Sequence, residues 1–221
     1  MKPYSLLIFD WDGTLMDSAA HITTCMRNAI AIVNAEPRTD SEIRNIIGLG
    51  LDEAVWHLYP QGTPALIRRI VGEYRQEFLV RTKHGSELFN GTREALHALA
   101  AQGYMLAVAT GKSRRGLDKV LDETGLAALF PITRCADETR SKPHPQMLEE
   151  ILTDYDAAPH DALMIGDSEY DLLMAQAIGM DSLAVSCGVH ELERLLQHQP
   201  RGHVDTVAQI PNWLAKQKVK Q

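Results

Sequence analysis

The sequence predicts an α/β protein, a parallel sheet covered on both faces and interrupted by an all-helical insert, and three observations predict it. Short apolar runs recur with helix-length stretches between them, the pattern of strands buried on both faces. The first interval between runs is far longer than one crossover helix needs. Acidic and hydroxyl residues stand where several of the runs end, which is where open parallel sheets gather their ligands.

The first run, YSLLIF at 4–9, reads as a strand ending at Asp10. About 95 residues then pass before the next run, YMLAVAT at 104–110, so an insert must occupy the interval. Within it, DSAAHITTCMRNAIAIVNA, SEIRNIIGLGLDEAVWHLY and PALIRRIVGEYRQEFLVRT carry apolar residues at helical spacing. Breaks fall at Glu36-Pro37, Gly48 to Gly50 and Pro60 to Pro64. Residues 17–84 are therefore expected to form a helical cap, and residues 1–16 and 85–221 a discontinuous core, with Gly85 and Asn90-Gly91 marking the return. ITRC (132–135), ALMIG (162–166) and DSLAVSC (181–187) supply three further strands. Gly103, Gly125 and Gly179 each follow a helical stretch and precede a strand, where a helix stop is expected. The core expected is a three-layer, Rossmann-like one.

A chain of 221 residues that is 45% apolar can bury a substantial core. Its 29 acidic and 22 basic residues leave a formal charge of −7, without the clustered cationic surplus that a nucleic-acid partner needs. The basic stretch Lys216-Gln217-Lys218-Val219-Lys220 reads as a frayed end. Cys25, Cys135 and Cys187 are widely spaced in apolar contexts, as buried thiols of a reducing compartment would be. The apolar stretch before Asp10 is too short for a leader or a membrane span, so a cytoplasmic protein without a membrane partner is expected, as a monomer or weak homodimer.

The strand ends carry the chemistry. The first delivers Asp10 and Asp12, the second Thr110-Gly111-Lys112-Ser113, and the fourth Gly166-Asp167-Ser168-Glu169-Tyr170-Asp171; Ser141-Lys142-Pro143 follows the third. Carboxylates brought together repel unless a cation neutralises them, and an all-oxygen set selects Mg²⁺ before Zn²⁺. A hydroxyl and backbone N–H groups at Thr110 and Gly111 suit an anionic oxygen, and Lys142 adds a point charge for a phosphate or a nucleophile. Metal, lysine and oriented donors are together what phosphoryl transfer requires. Taken singly, the pieces have structural readings. Asp12-Gly13 is a turn dipeptide, Thr110 could cap a helix, and Ser168-Glu169-Tyr170-Asp171 fits a capping box. Their joint occurrence, in order, favours a site. Gly111-Lys112-Ser113 imitates the end of a P-loop, but position 106 is Leu where that motif needs Gly. Cys135 and Arg140 do not make a cysteine-phosphatase loop, because the intervening residues hold two acids and no glycine.

In these motifs the chain resembles hydrolases of the haloacid dehalogenase superfamily with a helical cap after the first motif, and is similar to phosphoglycolate phosphatases. The likeness spans nearly the whole chain and four motifs: DWDGTLMDS, the strand ending in Thr110-Gly111, Lys142-Pro143, and GDSEYD. It implies that Asp10 is the nucleophile and Asp12 the acid and base. It also implies Mg²⁺ on the Asp10 carboxylate, the Asp12 carbonyl and Asp167, with Asp171 behind them, and phosphate oxygens on Thr110 and Gly111. Lys142 would position Asp10. Asp12 separates a phosphatase from a true dehalogenase, which lacks that acid, and a phosphonate hydrolase would need a cap lysine where only Lys83 is present. Substrate choice is expected in the cap at Gly48-Leu49-Gly50, with Arg44 as a candidate partner for an acidic group. The stretch Ser186 to His190 departs from the longer glycine-rich segment of the family.

The activity expected is hydrolysis of a small phosphorylated metabolite, a phosphomonoester, through an aspartyl-phosphate. The alternatives are a phosphomutase resembling β-phosphoglucomutase, and an inactive phosphate-ligand binding protein on the same core.

Overall fold

Apolar runs without alternation must be covered from both sides, and the computed structural model, which describes residues 4–81 and 86–217, covers them so. In chain order the strands are β1 (Leu6–Phe9), β2 (Met16–Asp17), β3 (Glu87–Leu88), β4 (Met105–Thr110), β5 (Ile132–Cys135), β6 (Ala162–Gly166), β7 (Asp181–Val185) and β8 (Gly202–Val204). Six form one parallel sheet in the order β5-β4-β1-β6-β7-β8. In register, Leu6 faces Met105 on one side and Ala162 on the other, and Phe9 faces Val108 and Ile165. The chain steps from β1 outward to β4 and β5, then returns to β6 on the opposite side of β1. That reversal opens a crevice beyond the ends of β1, β4 and β6.

The helices are α1 (Ala19–Ile32), α2 (Asp40–Asn45), α3 (Leu51–Leu58), α4 (Pro64–Gln76), α5 (Thr92–Ala101), α6 (Arg114–Thr124), α7 (Gln146–Asp154), α8 (Glu169–Gln176), α9 (Leu192–Leu196) and α10 (Ile210–Gln217). Successive strand residues point to opposite faces, so Leu7 and Phe9 pack with Leu96, Leu117 and Leu214 from α5, α6 and α10, while Leu6 and Ile8 pack with Met147, Ile151 and Met174 from α7 and α8. Three layers result. Gly103, Gly125 and Gly179 end their helices with φ of +79°, +66° and +66°, as their positions predict.

Helices α1 to α4 have an apolar cluster of their own, built on Met26, Ile43, Val55, Leu58, Ile67 and Ile70, into which Tyr170 of α8 projects. Thr39 opens α2 with a reciprocal capping box to Glu42, and Thr63 caps α4 just before Pro64. A π-helical turn, Glu77–Arg81, continues α4. Where the chain leaves the sheet it forms β2, which pairs antiparallel with β3 on the return (Met16 with Leu88). Gly85 and Lys83 lie outside the described residues. Three strands are additions to the five expected: β2 and β3 are two residues long, and β8 is three residues without an apolar run. The fifth expected strand stops at Val185, and Cys187 is half-buried where Cys25 and Cys135 are buried. No described helix is long and apolar enough to cross a membrane.

Candidate active site

Asp10 leaves the end of β1, its N–H bonded to the Ile165 carbonyl at 2.9 Å. Thr110 is the last residue of β4, Asp167 follows β6, and Lys142 arrives on the loop between β5 and α7. The crevice brings them together. Carboxylate oxygens of Asp10, Asp167 and Asp171 lie within 4.8 Å of one another, all three side chains buried. Lys142 Nζ stands 2.8 Å from Asp10 Oδ1 and 2.6 Å from Asp171 Oδ1, in full burial.

The three carboxylates are not equally provided for. Asp171 accepts from Lys142 on one oxygen, and on the other from the Ser168 N–H at 3.2 Å and Oγ at 2.7 Å. Asp167 accepts from Thr14 Oγ1 at 2.6 Å and from the Val189 N–H at 2.8 Å. Asp10, only 1% exposed, receives no aligned hydrogen bond on either oxygen from the described residues, and its contact with Lys142 is an ion pair. Buried carboxylates are normally hydrogen-bonded, so an unsatisfied one beside two others is an unfinished coordination set. Burial pushes the Asp10 carboxyl well above its usual range; the Lys142 ammonium opposes this, and the charges of Asp171 and Asp167 add to it. Asp167 is pushed up to about 7 by burial and by Asp171, against the hydrogen bonds from Thr14 and Val189. Burial works to lower Lys142, but Asp10 and Asp171 outweigh it and hold the ammonium above its ordinary value. One cation against three buried carboxylates leaves a deficit of positive charge that an oxygen-liganded Mg²⁺ fits.

Glycines make the room. A Cβ on Gly13 (φ +82°) would come within 2.2 Å of Asp167 Oδ2, and one on Gly188 within 1.9 Å of the same atom. Gly188 and Val189 belong to the shortened stretch after β7, so this short segment still reaches Asp167. Asp171 both closes the N-terminus of α8 in a capping box with Ser168 and pairs with Lys142.

Asp12 has a different environment. Ser18 Oγ donates to its Oδ1 at 2.6 Å, and Lys112 Nζ reaches both carboxylate oxygens at 2.9 Å. Lys112 also lies over the ring of Phe78, 4.7 Å from its centroid. Lys112, Thr14, Ser18 and Val189 escape the sequence reading; the only signal for Lys112 is its place two residues beyond Thr110, in a tripeptide that imitates a P-loop. Trp11 points away into the core against Phe130 (centroids 6.1 Å apart), which leaves its two aspartate neighbours to the crevice.

Thr110 is buried, and its Oγ1 accepts from the Lys112 N–H at 3.2 Å. Gly111 backs onto the loop after α2: a Cβ there would meet the carbonyl oxygens of Leu49 and Gly48 at 2.5 and 2.6 Å. The Gly50 N–H donates to Ser141 Oγ at 2.7 Å. A cavity of about 130 Å³ lies between, lined by Asp10, Asp12, Thr110 and Gly111 below and by Gly48, Leu49 and Gly50 above. Arg44, expected as a partner for an acidic group, is not among the residues that line it. The last turn of α2 directs Asn45 toward the core, where its carbonyl accepts from Tyr170 Oη at 2.9 Å, and Arg44 is left half-buried off the cavity.

Residues 7–185 match the family described as haloacid dehalogenase-like hydrolase. The sequence is 32% identical over 216 residues to the "Probable phosphatase IndB" of Dickeya dadantii, covering 95% of this chain and 92% of that protein. It is 27% identical over 229 residues to a phosphoglycolate phosphatase of Nitrosococcus oceani, covering 98% and 99%. Among solved structures, a haloacid dehalogenase-like family hydrolase from Streptococcus pneumoniae superposes with a TM-score of 0.84 at 22% identity, covering 96% of this chain and 99% of that one, a likeness of fold. With the family matched across most of its length and a relative 32% identical over 95% of it, this chain belongs to the haloacid dehalogenase-like hydrolases.

Proposed function

We propose that the protein is a Mg²⁺-dependent phosphatase that hydrolyses a small phosphomonoester through an aspartyl-phosphate on Asp10, acting in the cytoplasm with residues 17–84 as a substrate-selecting cap on a core of 1–16 and 85–221. The observation that carries this reading is Asp10 itself: a buried carboxylate facing a cavity, whose one polar side-chain partner among the described residues is the Lys142 ammonium 2.8 Å behind it. A structural aspartate would be satisfied by its neighbours. This one is left with lone pairs to use.

In this reading an Asp10 carboxylate oxygen attacks phosphorus as the bond to the leaving oxygen breaks, and Asp12 gives that oxygen a proton. Water then attacks phosphorus and passes its proton to Asp12, the Asp10 bond to phosphorus breaks, and inorganic phosphate leaves. Lys142 aims Asp10 and offsets its charge. The hydroxyl of Thr110 and the N–H of Gly111 hold phosphoryl oxygens. Asp10 and Asp167, with the Asp12 carbonyl, would bind Mg²⁺, which when bound supplies positive charge for the transferring phosphoryl group. The Ser18 and Lys112 contacts fix the position of the Asp12 carboxyl group.

The test is release of p-nitrophenol from p-nitrophenyl phosphate with Mg²⁺, with EDTA, and by Asp10→Asn. Turnover that disappears in both controls is expected. Turnover that survives Asp10→Asn overturns the covalent mechanism, and conversion of a hexose 1-phosphate to its isomer without net phosphate overturns the hydrolase in favour of a mutase.

A further inference from the structure

The cavity beyond Asp10 differs in character from a site that receives a second anionic group. On the cap side it is walled by Ile22 and Met26 of α1, Ile47 and Leu49 of the loop after α2, Tyr74 of α4 and Phe78 of the π-helical turn that follows it. Tyr74 and Phe78 stack with centroids 5.6 Å apart and present a continuous aromatic surface. Two cations stand among the described residues that line the cavity, and both are engaged. Lys112 gives its charge to both oxygens of Asp12 and rests on Phe78. Arg75 sits at the solvent rim, 3.4 Å from Asp52, with about half of its side chain exposed. The remaining charged groups of the lining, Glu53 and Asp137, are acidic.

A carboxylate entering that space would lose its hydration against isoleucine, methionine and aromatic carbon and, among the described lining residues, meet only Lys112, held by Asp12, and Arg75 at the exposed edge. An apolar or aromatic group would exchange water for that same surface at a gain. We infer that the alcohol half of the substrate is uncharged and apolar, an aromatic or branched aliphatic group, and that phosphomonoesters carrying a second anion, phosphoglycolate included, are poor substrates. The inference rests on the reading of Asp10 as the phosphoryl acceptor and goes beyond it, because the phosphoryl half of the site is indifferent to what the phosphate leaves behind. Withdrawing water from this cavity also strengthens the Lys112 and Asp12 pairing beside it.

The experiment compares kcat/KM for benzyl phosphate and phosphoglycolate with the full chain and Mg²⁺, using acetyl phosphate as a reference whose leaving group is too small to need the cavity. A preference for benzyl phosphate of about 100-fold or more is expected, the scale on which a site rejects a group whose polar partners it does not supply. A preference below tenfold, or one for phosphoglycolate, overturns the inference while Asp10-dependent hydrolysis of acetyl phosphate leaves the phosphatase reading standing. Hydrolysis of acetyl phosphate with neither ester consumed also overturns it. Loss of all three activities overturns both readings together.

Discussion

Lys142→Met exchanges the ammonium for an apolar side chain of similar length, and the structure sets the size of its effect. The lysine contacts Asp10 at 2.8 Å and Asp171 at 2.6 Å with all three side chains at most 1% exposed. At an effective dielectric constant of about 20, each contact corresponds to about 6 kcal/mol of attraction. Much of that is spent on keeping the ammonium dry, a cost the substitution also removes. What remains is the penalty of leaving two buried carboxylates beside Asp167 with no cation, about 3–5 kcal/mol. Urea unfolding in metal-free buffer at neutral pH reads it directly: with a slope of about 2–3 kcal/mol per molar, the midpoint falls by about 1–2 M. In a double-mutant cycle with Asp171→Asn, the two losses should fall short of additivity by more than about 1 kcal/mol, because either change alone breaks the same pair. Mg²⁺ should recover part of the loss by supplying the missing charge. A variant within about 0.5 kcal/mol of the parent, or strict additivity with Asp171→Asn, would refute the view that Lys142 balances the buried carboxylates.

Other outcomes follow from the same geometry. In metal-free buffer Asp167, raised from its ordinary 3.8 to about 7, retains in the folded state a proton that the unfolded chain gives up. Its contribution is therefore greatest below about pH 4 and is lost as the pH rises through about 7, by up to about 4 kcal/mol; Asp167→Asn flattens that slope, and a slope unchanged by the substitution refutes the assignment. Gly188→Ala would place a methyl 1.9 Å from Asp167 Oδ2, so a stability loss of about 1–3 kcal/mol is expected in chemical denaturation, with a weaker Mg²⁺ response in a calcium- and EDTA-controlled titration of melting temperature. Arg44→Ala, off the cavity, is expected to leave kcat/KM for any phosphomonoester within about threefold, under 1 kcal/mol, and a tenfold loss would return that residue to the site.

How much of this was readable without coordinates depends on the range of the interaction. The strands β1, β4, β6 and β7 declare themselves as short apolar runs, because each is buried on both faces, while the edge strand β5, Ile132–Cys135, is legible only from its spacing between helical stretches. β8 is invisible at that level: Gly202, His203 and Val204 extend the sheet only because β7 offers an unpaired edge. The two-residue pairing of β2 with β3 has no local signal either, since Met16 and Leu88 meet across the whole insert.

The same division runs through the site. Asp10, Thr110, Lys142 and Asp167 could be named from the sequence because each stands at or just beyond a strand end, and parallel topology delivers strand ends to one edge. The type of chemistry follows from that, since clustered carboxylates with a lysine and a hydroxyl have few other uses. The partnerships had to come from the tertiary structure: Lys112 with Asp12 across 100 positions, Thr14 with Asp167 across 153, Val189 with Asp167, and the close approach of Gly188 that lets Asp167 in. So did the apolar, cation-poor wall of the cavity and the displacement of Arg44 from it. Periodicity and strand-end position are properties of neighbouring residues, and the chain carries them openly. Which charge neutralises which, and what faces the space left over, depends on how separate segments pack, and only the folded chain decides it.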